Sequence, residues 1–293
     1  MKISIIGVGR VGGALALALS KNGYEIENLA AREKKSITKI AALIKGKPNL
    51  VSFAELGEIT SDIIFITTQD FEISNVVGKL AQNQQNKSYI FHTSGALSSD
   101  ILQDLKLNGC KIGSIHPLVS ISDPVLGAER FENAYFCVEG DEEAVETAKK
   151  IVKDLKGKAF SIETKYKTLY HASAVTACGH LVALIDAAIE MLTKCGLDEK
   201  NAQKILLPLV KSTIDNLTTQ TTAEALTGTF ARADVETLEK HLEILRENVS
   251  DEALEVYLQL GKRSAHLAEV QGADARKLEK MREKLSLAKK NLK

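Results

Sequence analysis

The first residues whose spacing suggests chemistry are Gly7-Val8-Gly9-Arg10-Val11-Gly12, a G-x-G-x-x-G segment. The apolar run from Ile3 to Ile6 enters it, and Val11, Leu15 and Leu19 leave it at helical spacing, with Ala14 and Ala18 beside them. Between a strand and a helix each glycine has a task. Gly7 permits a tight turn, Gly9 lets a phosphate approach bare backbone, and Gly12 lets helix and strand pack closely. The free N–H groups at the helix start then meet an anion. Residues 7–12 are therefore expected to hold the pyrophosphate of a dinucleotide. The ribose-reading position lies about 20 residues further on, where Ala31-Arg32-Glu33-Lys34-Lys35-Ser36 stands. Arg32 can fork onto a 2′-phosphate with Ser36 or a lysine assisting, which selects NADP(H); Glu33 leaves NAD open. Thr67 and Thr68, after the apolar run Ile63 to Ile66, and His92, after Tyr89-Ile90-Phe91, complete the expected cofactor contacts.

A second group of residues offers proton chemistry. In doubly wound sheets ligands collect at the C-terminal ends of strands, and both His92-Thr93-Ser94-Gly95 and His116-Pro117 follow strand-like runs. Ser94 and the Gly95 backbone suit a substrate carboxylate or the nicotinamide amide; Ser94 serves equally well as a helix cap for the segment near Ser98. His116 titrates near neutrality and reads as a proton donor, an anion contact or a loop-shaping hydrogen bond. Lys167, Tyr170 and His171 lie within about one helical turn and share a face. A hydride-transfer enzyme needs a group that gives a proton to the developing alkoxide or amine, and these three are expected to include it. The alternative is a solvated lysine beside a packed histidine. Arg232 reads as an anion clamp and Asp234 as a helix cap.

The elements that must position these residues form two blocks. Strand and helix signals alternate up to Thr164, which implies βαβ units and a parallel sheet. Beyond that point the chain is almost wholly helical, over 165–195, 198–216, 235–245, 251–268 and 274 to the end, the last with Leu278, Met281, Leu285 and Leu292 on one face. The expected class is α/β: an N-terminal Rossmann doubly wound, mostly parallel sheet over 1–164, followed by an all-α domain over 165–293. Among 293 residues, Lys plus Arg and Asp plus Glu both number 38, so the net charge is zero. That balance disfavours nucleic acid and membrane as bulk partners. The four cysteines, Cys110, Cys137, Cys178 and Cys195, form no C-x-x-C pair and no metal-ligand spacing, and read as packed thiols in a reduced compartment. No unbroken run of about 20 apolar residues suggests a membrane span, and no signal peptide is expected at the N-terminus; a cytoplasmic protein is the expectation.

Three segments add a resemblance: His92-Thr93-Ser94-Gly95-Ala96, Gly113-Ser114-Ile115-His116-Pro117-Leu118 and Lys167-Thr168-Leu169-Tyr170-His171-Ala172. With the glycine loop, they resemble the family that joins a Rossmann-like domain to a helical domain of unknown function (number 2520). That family is similar to pyrroline-5-carboxylate reductase, to β-hydroxyacid dehydrogenases and to deazaflavin-linked NADP oxidoreductases. The resemblance implies a C-terminal domain like that of 6-phosphogluconate dehydrogenase. It also implies hydride transfer between a nicotinamide and a small, anionic carbonyl or imine substrate, and a homodimer through the helical domain. Two departures stand out. Cys178-Gly179-His180 puts Gly179 where the family tends to carry asparagine, and Thr229 and Ala233 replace a proline and a glycine. The loss of the asparagine motivates a second reading, a non-catalytic NADP-binding regulatory or scaffold protein.

Overall fold

The computed structural model describes residues 1–82 and 87–290. The chain divides into two compact units, Met1–Thr176 and Ala177–Lys293. The first is built on eight strands: β1 (Lys2–Ile6), β2 (Glu25–Ala31), β3 (Asn49–Ser52), β4 (Ile63–Ile66), β5 (Tyr89–His92), β6 (Lys111–Pro117), β7 (Tyr135–Gly140) and β8 (Lys158–Phe160). They form one sheet in the order β3-β2-β1-β4-β5-β6-β7-β8. Strands β1 to β6 are mutually parallel, and β7 pairs antiparallel with β6. The chain winds outward from β1 through β2 to β3, then returns to the other side of β1 as β4. Strand order thus reverses between β1 and β4, the crevice where doubly wound sheets take their ligands.

Helices α1 (Arg10–Lys21), α2 (Thr38–Leu43), α3 (Asp70–Ala81), α4 (Gln103–Leu107), α5 (Pro124–Gly127) and α6 (Glu142–Asp154) connect the strands. Helical spacing in α1 places Ala14, Leu15, Ala18 and Leu19 inward, and all four are buried with Ile3, Ile5 and Phe65 in one core. Ile64, Ile66, Val76, Leu80 and Ile90 form a second core. Strand β4 is buried at every position, as its unbroken apolar sequence implies for a parallel strand covered on both faces. Asp70 opens α3 as its first helical residue, with Gln69 at the N-cap.

Helix α7 (Lys167–Lys194) begins in the first unit and runs on into the second, which continues with α8 (Glu199–Leu217), α9 (Gly228–Ala231), α10 (Val235–Asn248), α11 (Asp251–Val270) and α12 (Ala275–Lys290). Leu242, Leu258, Leu278, Met281 and Leu285 form the core of this unit; Leu292, expected on the same face, lies outside the described residues. Two sequence expectations change here. The helical segment Thr164–Lys194 is long and apolar enough to cross a membrane by length and composition, with a mean hydropathy of 1.6 over its best window. Polar residues such as Ser173, Thr176 and His180 interrupt it, so a search for an unbroken apolar run passes over it. Cys110 and Cys137 are packed thiols, but Cys178 and Cys195 are exposed because they sit on solvent-facing positions of α7 and just beyond its end.

Candidate functional site

The β1–α1 turn has the geometry of an anion cradle. Gly7 has φ +93°, a left-handed conformation that glycine adopts without steric cost. Its N–H donates to Ala30 O at 2.8 Å. Thr67 Oγ1 crosses from the end of β4 and donates to Gly7 O at 2.7 Å. Gly12 is buried, and a methyl there would overlap Thr67 Oγ1 and the Gly7 carbonyl. Gly9 caps α1 without a side-chain hydrogen bond, and no atom lies within 4 Å of where its Cβ would be. The helix start is therefore an uncapped set of N–H donors beside open space. A cavity of about 320 Å³ lies along this turn, lined by Gly7, Val8, Gly9, Arg32, Thr68 and Glu72 among others. Among the described residues, Thr68 Oγ1 is buried and has no hydrogen-bond partner. An orphaned hydroxyl facing a cradle of this kind fits a ligand phosphate or ribose, since a buried polar group without a partner is costly.

Arg32 follows β2, with its side chain 68% exposed, and forms an ion pair with Glu72 in the first turn of α3. Ser36 turns back on its own 3-10 turn, donating to Glu33 O at 2.7 Å. Arg10 is exposed and Val11 half-buried on the first turn of α1. His92 is buried with both ring nitrogens engaged: Nδ1 accepts from the Ser94 N–H at 3.2 Å, and Nε2 faces Ser98 O at 3.0 Å. An Nδ1 acceptor requires the proton on Nε2, so the loop fixes the tautomer. Burial is the main reason His92 titrates low, at about 4. It shapes the loop. Ser94 Oγ donates to Asp70 at 2.9 Å and accepts from the N–H groups of Ala96 and Leu97 at 3.2 and 3.0 Å. Its hydroxyl thus ties the end of β5 to the start of α3.

The second cluster stands at the ends of β5 and β6. His116 Nδ1 and Tyr170 Oη lie 2.6 Å apart, and the His116 ring meets those of Tyr170 and His171 edge-on, with centroids 5.5 and 5.9 Å away. Gly95 is where these rings close in. A Cβ there would come within 2.5 Å of His171 Cδ2 and 2.7 Å of His116 Nε2. Burial, then the charges of Lys167, His171 and His92, lowers the His116 pKa to about 4. Burial pushes the Tyr170 phenol up from its usual 10.0. Both groups are therefore neutral near pH 7.

Lys167 shares the expected helix face with Tyr170 and His171, but it is 2% exposed. Its Nζ donates to Ser114 Oγ at 2.5 Å and to Glu139 Oε1 at 3.2 Å. Glu139, 5% exposed, also accepts from Ser99 N and Ser99 Oγ at 3.0 and 2.7 Å. Ser114 and Glu139 are directly opposed across the β6–β7 pair. The first turn of α7 is thus anchored to the sheet by a buried ion pair, while His171 and Tyr170, one turn on, meet His116. Sequence reasoning passed over Glu139 and Glu72. Glu139 carried a signal: a single carboxylate within Phe136-Cys137-Val138-Glu139, a strand otherwise apolar, needs a partner. Arg232 lies in the second unit as the exposed C-cap of α9. Asp234 caps α10 by accepting from the Thr237 N–H at 3.0 Å, as expected. Ala233, at the family's glycine position, is buried and adopts φ +48°.

Within the first unit, the cradle and the His116 cluster lie along one edge of the sheet, at the C-terminal ends of its parallel strands. Arg32 follows β2, Gly7 follows β1, Thr67 and Thr68 follow β4, Gly95 follows β5, and His116 ends β6. Two family models match the chain. Residues 1–117 match a Rossmann-like domain, and residues 134–264 match the domain of unknown function DUF2520. The chain joins a Rossmann-like domain to a DUF2520 domain. Protein TM1727 from Thermotoga maritima is 26% identical, with a TM-score of 0.71 over 92% of this chain and 99% of that one. Pyrroline carboxylate reductase from Plasmodium falciparum, solved with NADP bound, is 16% identical, with a TM-score of 0.59 over 97% of each chain. An imine reductase from Pseudomonas is 18% identical, with a TM-score of 0.61 over 96% of this chain and 98% of that one. The two reductases share this fold. A comparison with curated proteins gives no match.

Proposed function

We propose that the protein is an NADP-dependent oxidoreductase that moves a hydride between the nicotinamide and a small carbonyl or imine compound. The observation that carries the reading is the row of groups along one sheet edge. An anion cradle with an orphaned hydroxyl stands after β1 and β4, and a His–Tyr–His cluster stands after β6. From β2 to β6 the row spans four inter-strand steps, about 19 Å at about 4.8 Å per step, which suits a dinucleotide laid across the strand ends. Bound NADP(H) supplies or accepts the hydride. The chain's own residues do the rest. The N–H groups at the start of α1 and Thr68 Oγ1 hold the phosphates, and Arg32 meets the 2′-phosphate.

At the other end, Tyr170 Oη donates to His116 Nδ1 and so keeps the His116 proton on Nε2. That N–H hydrogen-bonds and polarises the substrate oxygen or nitrogen, and His171 beside it gives the proton as the hydride arrives. Gly95 lets both rings approach the strand end. Lys167 is assigned a positioning role: held by Glu139 and Ser114, it fixes the first turn of α7 and with it Tyr170 and His171. NADPH should bind more tightly than NADH in a fluorescence titration, and NADPH should be consumed in a panel of keto acids and cyclic imines. His116→Gln and His171→Ala should each cut turnover about a hundredfold with nucleotide affinity unchanged. Tight NADPH binding without turnover across the panel would favour the regulatory or scaffold reading instead.

The second unit leaves apolar side chains uncovered, among them Val182, Ile205, Leu207 and Leu209 on α7 and α8. Val182 and Leu207 line a groove of about 810 Å³ that also presents Asp186, Glu190 and Lys200. A second copy of the chain, laid antiparallel, would cover the apolar face and pair the charges with one another. Light scattering behind size exclusion should give twice the 31.8 kDa chain mass; a monomer at micromolar concentration would refute the homodimer.

A further inference from the structure

Arg32 can receive a 2′-phosphate only by leaving a partner. Its guanidinium is ion-paired with Glu72, whose carboxylate also accepts from Asn75 Nδ2 at 2.6 Å. Arg32 and Glu72 are the charged residues lining the cavity beside the glycine turn, so that end of the cavity is electrically balanced. The nearby basic residue Lys34 is paired in the same way, with Glu55 at 2.7 Å. A 2′-phosphate arriving there carries about −2 charge at pH 7. It must draw Arg32 away from Glu72 and then lie beside an uncompensated carboxylate. A 2′-hydroxyl needs neither, because an ionised carboxylate accepts from a ribose hydroxyl while still holding Arg32.

The mobility of the pair is unequal. Arg32 is exposed at the end of β2, whereas the Glu72 side chain is 13% exposed and held by Asn75 one turn along α3. Glu72 therefore stays in place and Arg32 swings. We infer that Glu72 is the residue that sets nucleotide choice: its carboxylate, by competing for Arg32, narrows the preference for NADP(H) and keeps the site open to NAD(H). This inference rests on the reading that residues 7–12 hold a dinucleotide.

Calorimetric titration of the full chain with NADP⁺ and with NAD⁺, in wild type, Glu72→Gln and Arg32→Ala, tests it. Glutamine keeps the shape and an oxygen for Asn75 but releases Arg32. Glu72→Gln should tighten NADP⁺ by about tenfold, the one-log-unit scale of a like charge at 4–6 Å, and should leave NAD⁺ unchanged or weaker. Arg32→Ala should weaken NADP⁺ alone. Circular dichroism on each variant checks that the fold is kept. A NADP⁺/NAD⁺ affinity ratio that does not move in a folded Glu72→Gln protein overturns the inference while leaving dinucleotide binding intact. Failure of the wild-type chain to bind either nucleotide removes the reading beneath it, and the inference with it.

Discussion

Two glycines in the same turn should separate binding from stability. Gly9 and Gly12 are three residues apart, yet a methyl group meets opposite surroundings at each. At Gly9 it enters open space, with no atom within 4 Å, on a backbone of φ −85° that alanine adopts freely. Gly9→Ala should therefore change stability by no more than about 0.5 kcal/mol, the usual range for an unencumbered site. The methyl would stand where a phosphate has to approach the N–H groups of α1, so nucleotide affinity should fall at least tenfold, about 1.4 kcal/mol. At Gly12 the methyl overlaps Thr67 Oγ1 and Gly7 O, two groups already hydrogen-bonded to each other. Because one of the overlapped atoms is a backbone carbonyl, parting them carries the upper part of the cost of overpacking, about 2–3 kcal/mol, offset by the roughly 1 kcal/mol by which alanine favours a helix interior over glycine. A net loss of about 1–2 kcal/mol lowers Tm by roughly 2–8 °C in a chain of this size. Urea denaturation followed by circular dichroism reads the stability, and calorimetry with NADPH reads the binding. Full NADPH affinity in Gly9→Ala would show that the pyrophosphate does not come to this turn. An unchanged unfolding midpoint in Gly12→Ala would refute the close contact of α1 with the end of β4.

Three further outcomes are expected. Glu139→Gln leaves the buried Lys167 ammonium without its counter-charge and should cost about 3–5 kcal/mol in urea denaturation, with most of it recovered when Lys167→Met is added; a loss below about 1 kcal/mol in the single variant would show that the pair does not act as described. His92 and His116 both titrate at about 4 instead of 6.5, so between these values the unfolded chain binds more protons than the folded one. Stability should accordingly be complete above pH 6.5 and fall as the pH drops towards 4, by about 2 kcal/mol per histidine at pH 5; equal urea midpoints at pH 7 and pH 5 would contradict this. Tyr170→Phe removes the hydroxyl 2.6 Å from His116 Nδ1, and nitrogen NMR should then show His116 as a mixture of tautomers where wild type shows the Nε2–H form. An unchanged spectrum would remove Tyr170 from the orienting role.

The glycine turn was legible in the sequence because every part of it is local. The strand, the turn and the helix are consecutive, and each glycine answers to a neighbour a few residues away. Strand β4 was legible for a related reason, since four consecutive apolar residues leave little else for it to be. The ion pair of Arg32 with Glu72 was not, because 40 residues separate the partners and only the return of the chain from β3 to β4 brings them together. The same holds for Lys167. Helical spacing correctly placed it on one face with Tyr170 and His171 but could not tell that the end of that face nearest the helix start meets a carboxylate on β7. Strand β3, absent from the sequence reading, is four residues at the sheet edge, too short for its periodicity to register.

Strand β7 has a property that its own side chains cannot manage. Phe136, Cys137, Val138 and Glu139 are all buried, so no alternation of apolar and polar positions tells one face from the other, and that alternation is what normally fixes how a strand aligns with its neighbour. A slip of one residue against β6 would exchange one buried apolar side chain for another at little cost. It would also carry Glu139 to the opposite face and strand Lys167 beside Ser114 alone. A misaligned sheet thus carries an unneutralised ammonium in its interior, a penalty of several kcal/mol that the native alignment avoids. The pair should therefore serve as a check on alignment during folding, and a chain lacking it is expected to populate off-register forms.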